Sequence, residues 1–131
     1  MLDTTVLTYL TDARNPRPEW DEIIRGRIVV LSFVTVGEIL HGTLRARWPR
    51  TRINAIEERL RRYPIIPGTI GVSRKYAELR REFFEQIGDN DLWMAACALS
   101  QPEPLALATG DADFDRIADK FPLVVARPAA G

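Results

Sequence analysis

Four short apolar runs, Ile28 to Phe33, Ile65-Ile66, Leu105 to Ala108 and Leu123 to Val125, are separated by segments of helical period. Short aliphatic and β-branched runs of this length read as buried strands. Between them, Ile53, Ile56, Leu60 and Tyr63 recur at i, i+3, i+7, i+10. Tyr76, Leu79, Phe83 and Ile87 follow i, i+3, i+7, i+11, and Leu92, Ala95, Ala96 and Leu99 follow i, i+3, i+4, i+7. Each spacing predicts an amphipathic helix of about three turns. Strands alternating with helices predict an α/β fold, a parallel sheet joined by right-handed crossovers and covered on both faces. Ligands of such sheets bind beyond the carboxyl ends of the strands. Seven prolines, at 16, 18, 49, 64, 67, 102 and 104, fall between the elements and support this segmentation.

With 131 residues, 46% of them hydrophobic, the chain is expected to form one domain over 1–131 with a core that needs no covalent staple. One Cys excludes a disulfide framework, and one His beside it excludes the usual zinc sites. Any metal must be held by oxygen. No apolar run is long enough to span a membrane and the N-terminus lacks signal-peptide character, so no membrane partner and a cytoplasmic location are expected.

The formal charge is zero, which removes any global electrostatic argument for a nucleic-acid partner. The local distribution is uneven. Seven Arg against two Glu give the stretch 45–62 a net charge of +5, while 82–119 carries nine acids against one Arg, a net −8. Arg45, Arg47, Arg50 and Arg52 are candidate phosphate contacts, with Trp48 among them to stack a base. The same residues also fit a solvated helix face.

The acids that matter lie where strands end. Asp3 follows the first two residues, Glu38 falls in the first turn of a helix after Phe33, Asp91 begins a helix after Asn90, and Asp111 and Asp113 follow the run ending at Ala108. Carboxylates converging there raise one another's pKa, and a hard divalent cation such as Mg²⁺ or Mn²⁺ relieves the repulsion. Each acid also has a local explanation. Thr35 with Glu38 fits a capping box, Asp91 suits a helix N-terminus, and Asp111 and Asp113 suit a turn beside Gly110. Asp3 has no capping role unless it starts the next helix. Their shared location carries the argument.

Four pieces, Leu2-Asp3-Thr4-Thr5-Val6-Leu7, Thr35-Val36-Gly37-Glu38-Ile39, Asn90-Asp91-Leu92-Trp93-Met94-Ala95-Ala96 and Thr109-Gly110-Asp111-Ala112-Asp113-Phe114, resemble in order and spacing the PIN-domain ribonucleases, and within them the VapC-type toxins of bacterial toxin–antitoxin pairs. The resemblance implies a single PIN-like domain with a central five-stranded parallel sheet flanked by helices. It implies a Mg²⁺- or Mn²⁺-dependent endoribonuclease leaving a 5′-phosphate and a 3′-hydroxyl. Asp3, Glu38, Asp91 and Asp111 would be both ligands and catalytic acids, with Asp113 in the same motif as Asp111. Thr4 and Thr109 would orient carboxylates or water. A homodimer and a cognate antitoxin protein are implied as partners of the RNA-cleaving chain. Only Met1 and Leu2 precede Asp3, so either a first strand of two or three residues or a start further upstream is expected.

Other chemistries are thinly supported. His41 and Cys97 stand alone, so no nucleophilic triad exists, and both read as structural. A receiver or dehalogenase-like phosphatase needs a second acid near Asp3, which Thr4-Thr5 does not provide. The alternative of another class is a PIN-fold binding module with little or no catalysis, acting by dimerisation and antitoxin capture. Phe84, off the Tyr76–Leu79–Phe83 stripe, is a candidate dimer contact, and Trp93 reads as core or dimer packing.

Overall fold

The structure is a computed structural model that describes residues 1–129. Two helices come first, α1 (Thr4–Thr11) and α2 (Pro18–Ile24). Strand β1 (Leu31–Ser32) leads directly into α3 (Phe33–Arg45), which is followed by α4 (Arg50–Leu60) and β2 (Ile65–Ile66). The second half holds α5 (Ile70–Phe83), α6 (Asp89–Leu99), β3 (Leu107–Ala108), α7 (Asp113–Ala118) and β4 (Val125–Ala126). The α/β alternation predicted from the apolar pattern is present. No described helix is long and apolar enough to cross a membrane.

A continuous five-stranded sheet is not seen among the described residues. Four strands of two residues form two parallel pairs, β1 with β2 and β3 with β4. Isolated backbone contacts span the gap between the pairs: Leu2 makes a parallel bridge with Ala108, and its N–H donates to Val30 at 3.2 Å. Helix capping explains the shortness of β1. The Ser32 hydroxyl accepts the Thr35 N–H at 3.2 Å, which makes Phe33 the first helical residue rather than the last of a strand. Ile28, expected in that strand, is 86% exposed.

Burial divides into two clusters. One gathers Leu2, Val6, Leu7, Trp20, Leu31 and Leu60 beneath α1 to α4, and the other surrounds α6 with residues of α5, α7 and β3. Helix α6 is buried nearly all round, since Met94, Cys97 and Ala98 join the predicted Leu92, Ala95, Ala96 and Leu99 inside. It is therefore a central helix rather than an amphipathic one. Its Ala-Ala-Cys-Ala run lets neighbours approach closely, and α5 is its principal neighbour. Helix α5 stops at Phe83, because Phe84 takes a φ of 26° outside helical space. Ile87 thus reaches the core from the following loop and not from the helix.

The end of α3 departs from the common pattern. Trp48 N–H donates to Thr43 and Arg47 N–H to Leu44, the bond pair that closes a helix with a left-handed residue. That residue is Arg47, at φ 55°, where glycine is usual.

Candidate functional site

Asp3 ends the segment Met1-Leu2, which lies beside β3: Asp3 N–H donates to Ala108 and Ala108 N–H to Met1. Its carboxylate starts α1, with Oδ1 accepting the Val6 N–H at 2.7 Å. The capping role that the sequence left conditional is real. The other oxygen, Oδ2, accepts the Thr109 hydroxyl, and the same hydroxyl accepts the Asp111 N–H at 3.0 Å. Burial pushes the Asp3 pKa above its ordinary value; the bonds from Thr109 and Val6 oppose this, and the charge of Asp111 adds to it.

Glu38 sits in the second turn of α3, because the helix begins at Phe33, and Ser32 rather than Thr35 caps it. The capping box is therefore not formed. Glu38 Oε1 instead accepts the Thr4 hydroxyl at 2.9 Å, which joins the first turn of α1 to α3 at the site.

Asp91 is the third residue of α6, not the first, since the helix opens at Asp89. The two acids have different partners. Asp89 accepts the Tyr76 hydroxyl at 2.6 Å and pairs with Arg80, and these bonds, Tyr76 first, hold its pKa down. Among the described residues no Lys or Arg lies within salt-bridge distance of Asp91. Burial pushes its pKa up to about 6, reinforced by the charges of Asp111, Asp113, Glu38 and Asp3.

Asp111 is exposed, and its Oδ1 accepts the Asp113 N–H at 2.9 Å. Asp113 opens α7 without a side-chain capping bond and lies 3.5 Å from Arg116. Carboxylate oxygens of Asp91, Asp111 and Asp113 lie within 4.8 Å of one another. Asp3, Glu38, Asp91 and Asp111 together line a cleft of about 480 Å³. All five acids are thus brought together, and their all-oxygen donor set suits a hard divalent cation rather than a softer one.

Three residues of the cleft carried no sequence signal. Tyr9, Arg17 and Trp20 form one wall, with the Arg17 guanidinium 3.9 Å above the Tyr9 ring. Arg17 lies outside the basic stretch that drew attention in the sequence, and only the fold carries it to the carboxylates. Arg45, Arg47, Arg50 and Arg52 do not line the cleft. Arg52 stacks on Trp48, 3.5 Å from the ring centroid, in a separate groove.

The PIN domain family model matches residues 1–120, the span that holds every one of these acids. The chain belongs to the PIN domain family. This PIN domain is 29% identical over 125 residues to a protein named Ribonuclease VapC1 from Haemophilus influenzae strain R2866, covering 91% of this chain and 92% of that one. Among solved structures, VapBC-1 from nontypeable Haemophilus influenzae matches with a TM-score of 0.76 and 28% identity, over 97% of this chain and 96% of the other. VapBC-5 from Mycobacterium tuberculosis, described as a member of the VapBC family of toxin–antitoxin systems, matches with a TM-score of 0.69 and 26% identity, over 96% and 95%.

Proposed function

We propose that this PIN domain is a Mg²⁺- or Mn²⁺-dependent endoribonuclease and the toxin of a toxin–antitoxin pair. One observation supports this above the others: four carboxylates line one cleft, with Asp113 within 4.8 Å of two of them, and the least exposed of the α6 pair, Asp91, has no salt-bridge cation among the described residues while its neighbour Asp89 is neutralised by Arg80. A fold does not collect uncompensated acids for stability, since each raises the cost of ionising the next. The relatives named as a ribonuclease and as toxin–antitoxin complexes favour the same reading.

Asp91, Asp111 and Asp113 offer the closest set of ligand oxygens, with Asp3 and Glu38 completing the ring. A bound divalent cation would lower the pKa of water and offset charge developing on the phosphate oxygens. Asp3 has both oxygens engaged by N–H or O–H donors, so it enters the site already oriented, with lone pairs to spare. Thr4 fixes one oxygen of Glu38, leaving Oε2 to accept a proton from an attacking water. Arg17, held over Tyr9 at the cleft wall, is placed to meet the charge of an incoming phosphodiester.

A homodimer and a cognate antitoxin belong to the same proposal. Phe33, Phe84 and Ile70 are exposed apolar side chains, Phe84 at 67% and Ile70 at 77%, which supports a partner surface. The deciding experiment is hydrolysis of labelled single-stranded RNA by the purified chain. Cleavage is expected with Mg²⁺ or Mn²⁺, lost in EDTA and lost in Asp91→Asn. Undiminished cleavage in chelator would overturn the metal-dependent mechanism, and no cleavage under any condition would leave the non-catalytic binding module as the reading.

A further inference from the structure

A second groove, of about 490 Å³, opens at the other end of α1. The first turn of α1 supplies Thr4 and Thr5 to the acidic cleft, and its last turn supplies Thr8 and Thr11 to this groove. Thr4, Thr8 and Thr11 lie at i, i+4 and i+7, one face of the helix, so the two depressions lie along the same face of α1, about 10 Å apart.

The chemistry of the groove is the opposite of the cleft's. Arg14 from the loop after α1 and Arg52 and Arg59 from α4 line it, with Trp48 and Ile56. None of the three arginines has a carboxylate within salt-bridge distance among the described residues, whereas Arg61 on the same helix pairs with Glu57 and Glu58. Asp12, the one acid of the groove, is turned to its own loop and accepts the Arg14 N–H at 3.0 Å. The Arg52 guanidinium is pre-ordered on the half-buried Trp48, so less side-chain entropy is lost when it binds an anion. A solvated helix face scatters its cations outward; here three unpaired guanidinia and an indole share one concavity.

We infer that this groove is a subsite for the single-stranded RNA flanking the scissile bond, with Arg14, Arg52 and Arg59 on its phosphates and a base on the stack that Arg52 forms over Trp48. The inference deepens the nuclease reading and rests on it for the identity of the strand. An acidic peptide is the other occupant that three arginines admit. The stacking platform, which takes a base and has no counterpart in an acidic peptide, favours RNA.

Two measurements on the full chain test this. In EDTA, anisotropy of a fluorescein-labelled single-stranded RNA of roughly 12 nucleotides is titrated with salt. The double variant R52Q/R59Q should reduce the slope of log K against log salt by about 1.4 in magnitude, about 0.7 per lost phosphate contact. Trp48→Ala should weaken binding about 5- to 100-fold without changing the slope, and Trp48→Phe should restore most of it. Arg52→Lys should keep the slope and lose affinity. In Mn²⁺, hydrolysis of bis(p-nitrophenyl) phosphate, too small to reach the groove, should be equal in all these variants. A parental slope in folded R52Q/R59Q overturns the inference, whether a protein or nothing occupies the groove, as does absence of RNA binding by the parent. Failure of the parent to hydrolyse the small diester, with the slope still lowered in R52Q/R59Q, overturns the nuclease reading and leaves the RNA subsite standing.

Discussion

The Thr109 hydroxyl donates to Asp3 Oδ2 across 106 positions of sequence, and it accepts the Asp111 N–H in the same stroke. One side chain thereby registers the first acidic motif against the last. Thr109→Val keeps the shape and removes the donor, leaving a buried carboxylate short of a partner. It should destabilise the protein by about 1–3 kcal/mol in denaturant unfolding, and Thr109→Ser should recover most of that. Equal stability of the Val variant would show that Asp3 does not depend on this bond.

Asp91 sets a pH dependence. Its folded pKa is raised to about 6 by burial and by four acidic neighbours, so its contribution favours folding below about pH 4 and is lost as pH rises toward 6. Metal-free Asp91→Asn should be more stable than the parent at pH 7 by about 1–2 kcal/mol once solvent screening is allowed for, and the gap should close below pH 4. Thermal melts across that range check the sign. Mn²⁺ should raise the midpoint of the parent and leave that of the variant nearly unchanged.

Asp111 and Asp113 divide the last motif unequally. Asp111 lines the cleft with Asp3 and Glu38, whereas Asp113 does not line it and lies 3.5 Å from Arg116. Asp111→Asn should remove most Mn²⁺ affinity in calorimetric titration and nearly all RNA cleavage, and Asp113→Asn should cost less of both. The reverse order would make Asp113 the principal ligand of the motif.

Arg47 pays for closing α3 in a left-handed conformation that an L side chain disfavours by about 1 kcal/mol. Arg47→Gly should therefore stabilise the fold by up to about 1 kcal/mol, read as a raised thermal midpoint. Destabilisation would mean that the Arg47 side chain makes a compensating contact.

Much of the architecture was legible because burial imposes period. The helical spacing of Ile53 to Leu60 and of Leu92 to Leu99 marked α4 and α6, and the acids at strand ends marked the cleft. Boundaries were less legible, since they turn on single capping bonds. Ser32 takes Phe33 into a helix, and Asp89 starts α6 two residues before Asp91. The extent of the sheet was not legible, because an apolar run such as Ile28 to Phe33 specifies burial, not ladder length. Arg17 was invisible: a lone arginine between two prolines acquires meaning only once α1 and α2 bring it over Tyr9.

From Leu92 to Leu99 helix α6 has almost no face turned to water, and Asp91 sits just ahead of that stretch, on a first turn whose Asp89 and Asn90 are exposed. Segments so enclosed open to solvent only when the whole domain unfolds, so its amides belong with the slowest to exchange. The acid most strained by its neighbours is thus bolted to the part of the molecule least able to yield. The buried turns of α6 that follow Asp91 tie its place in the cleft to the packing of the domain interior.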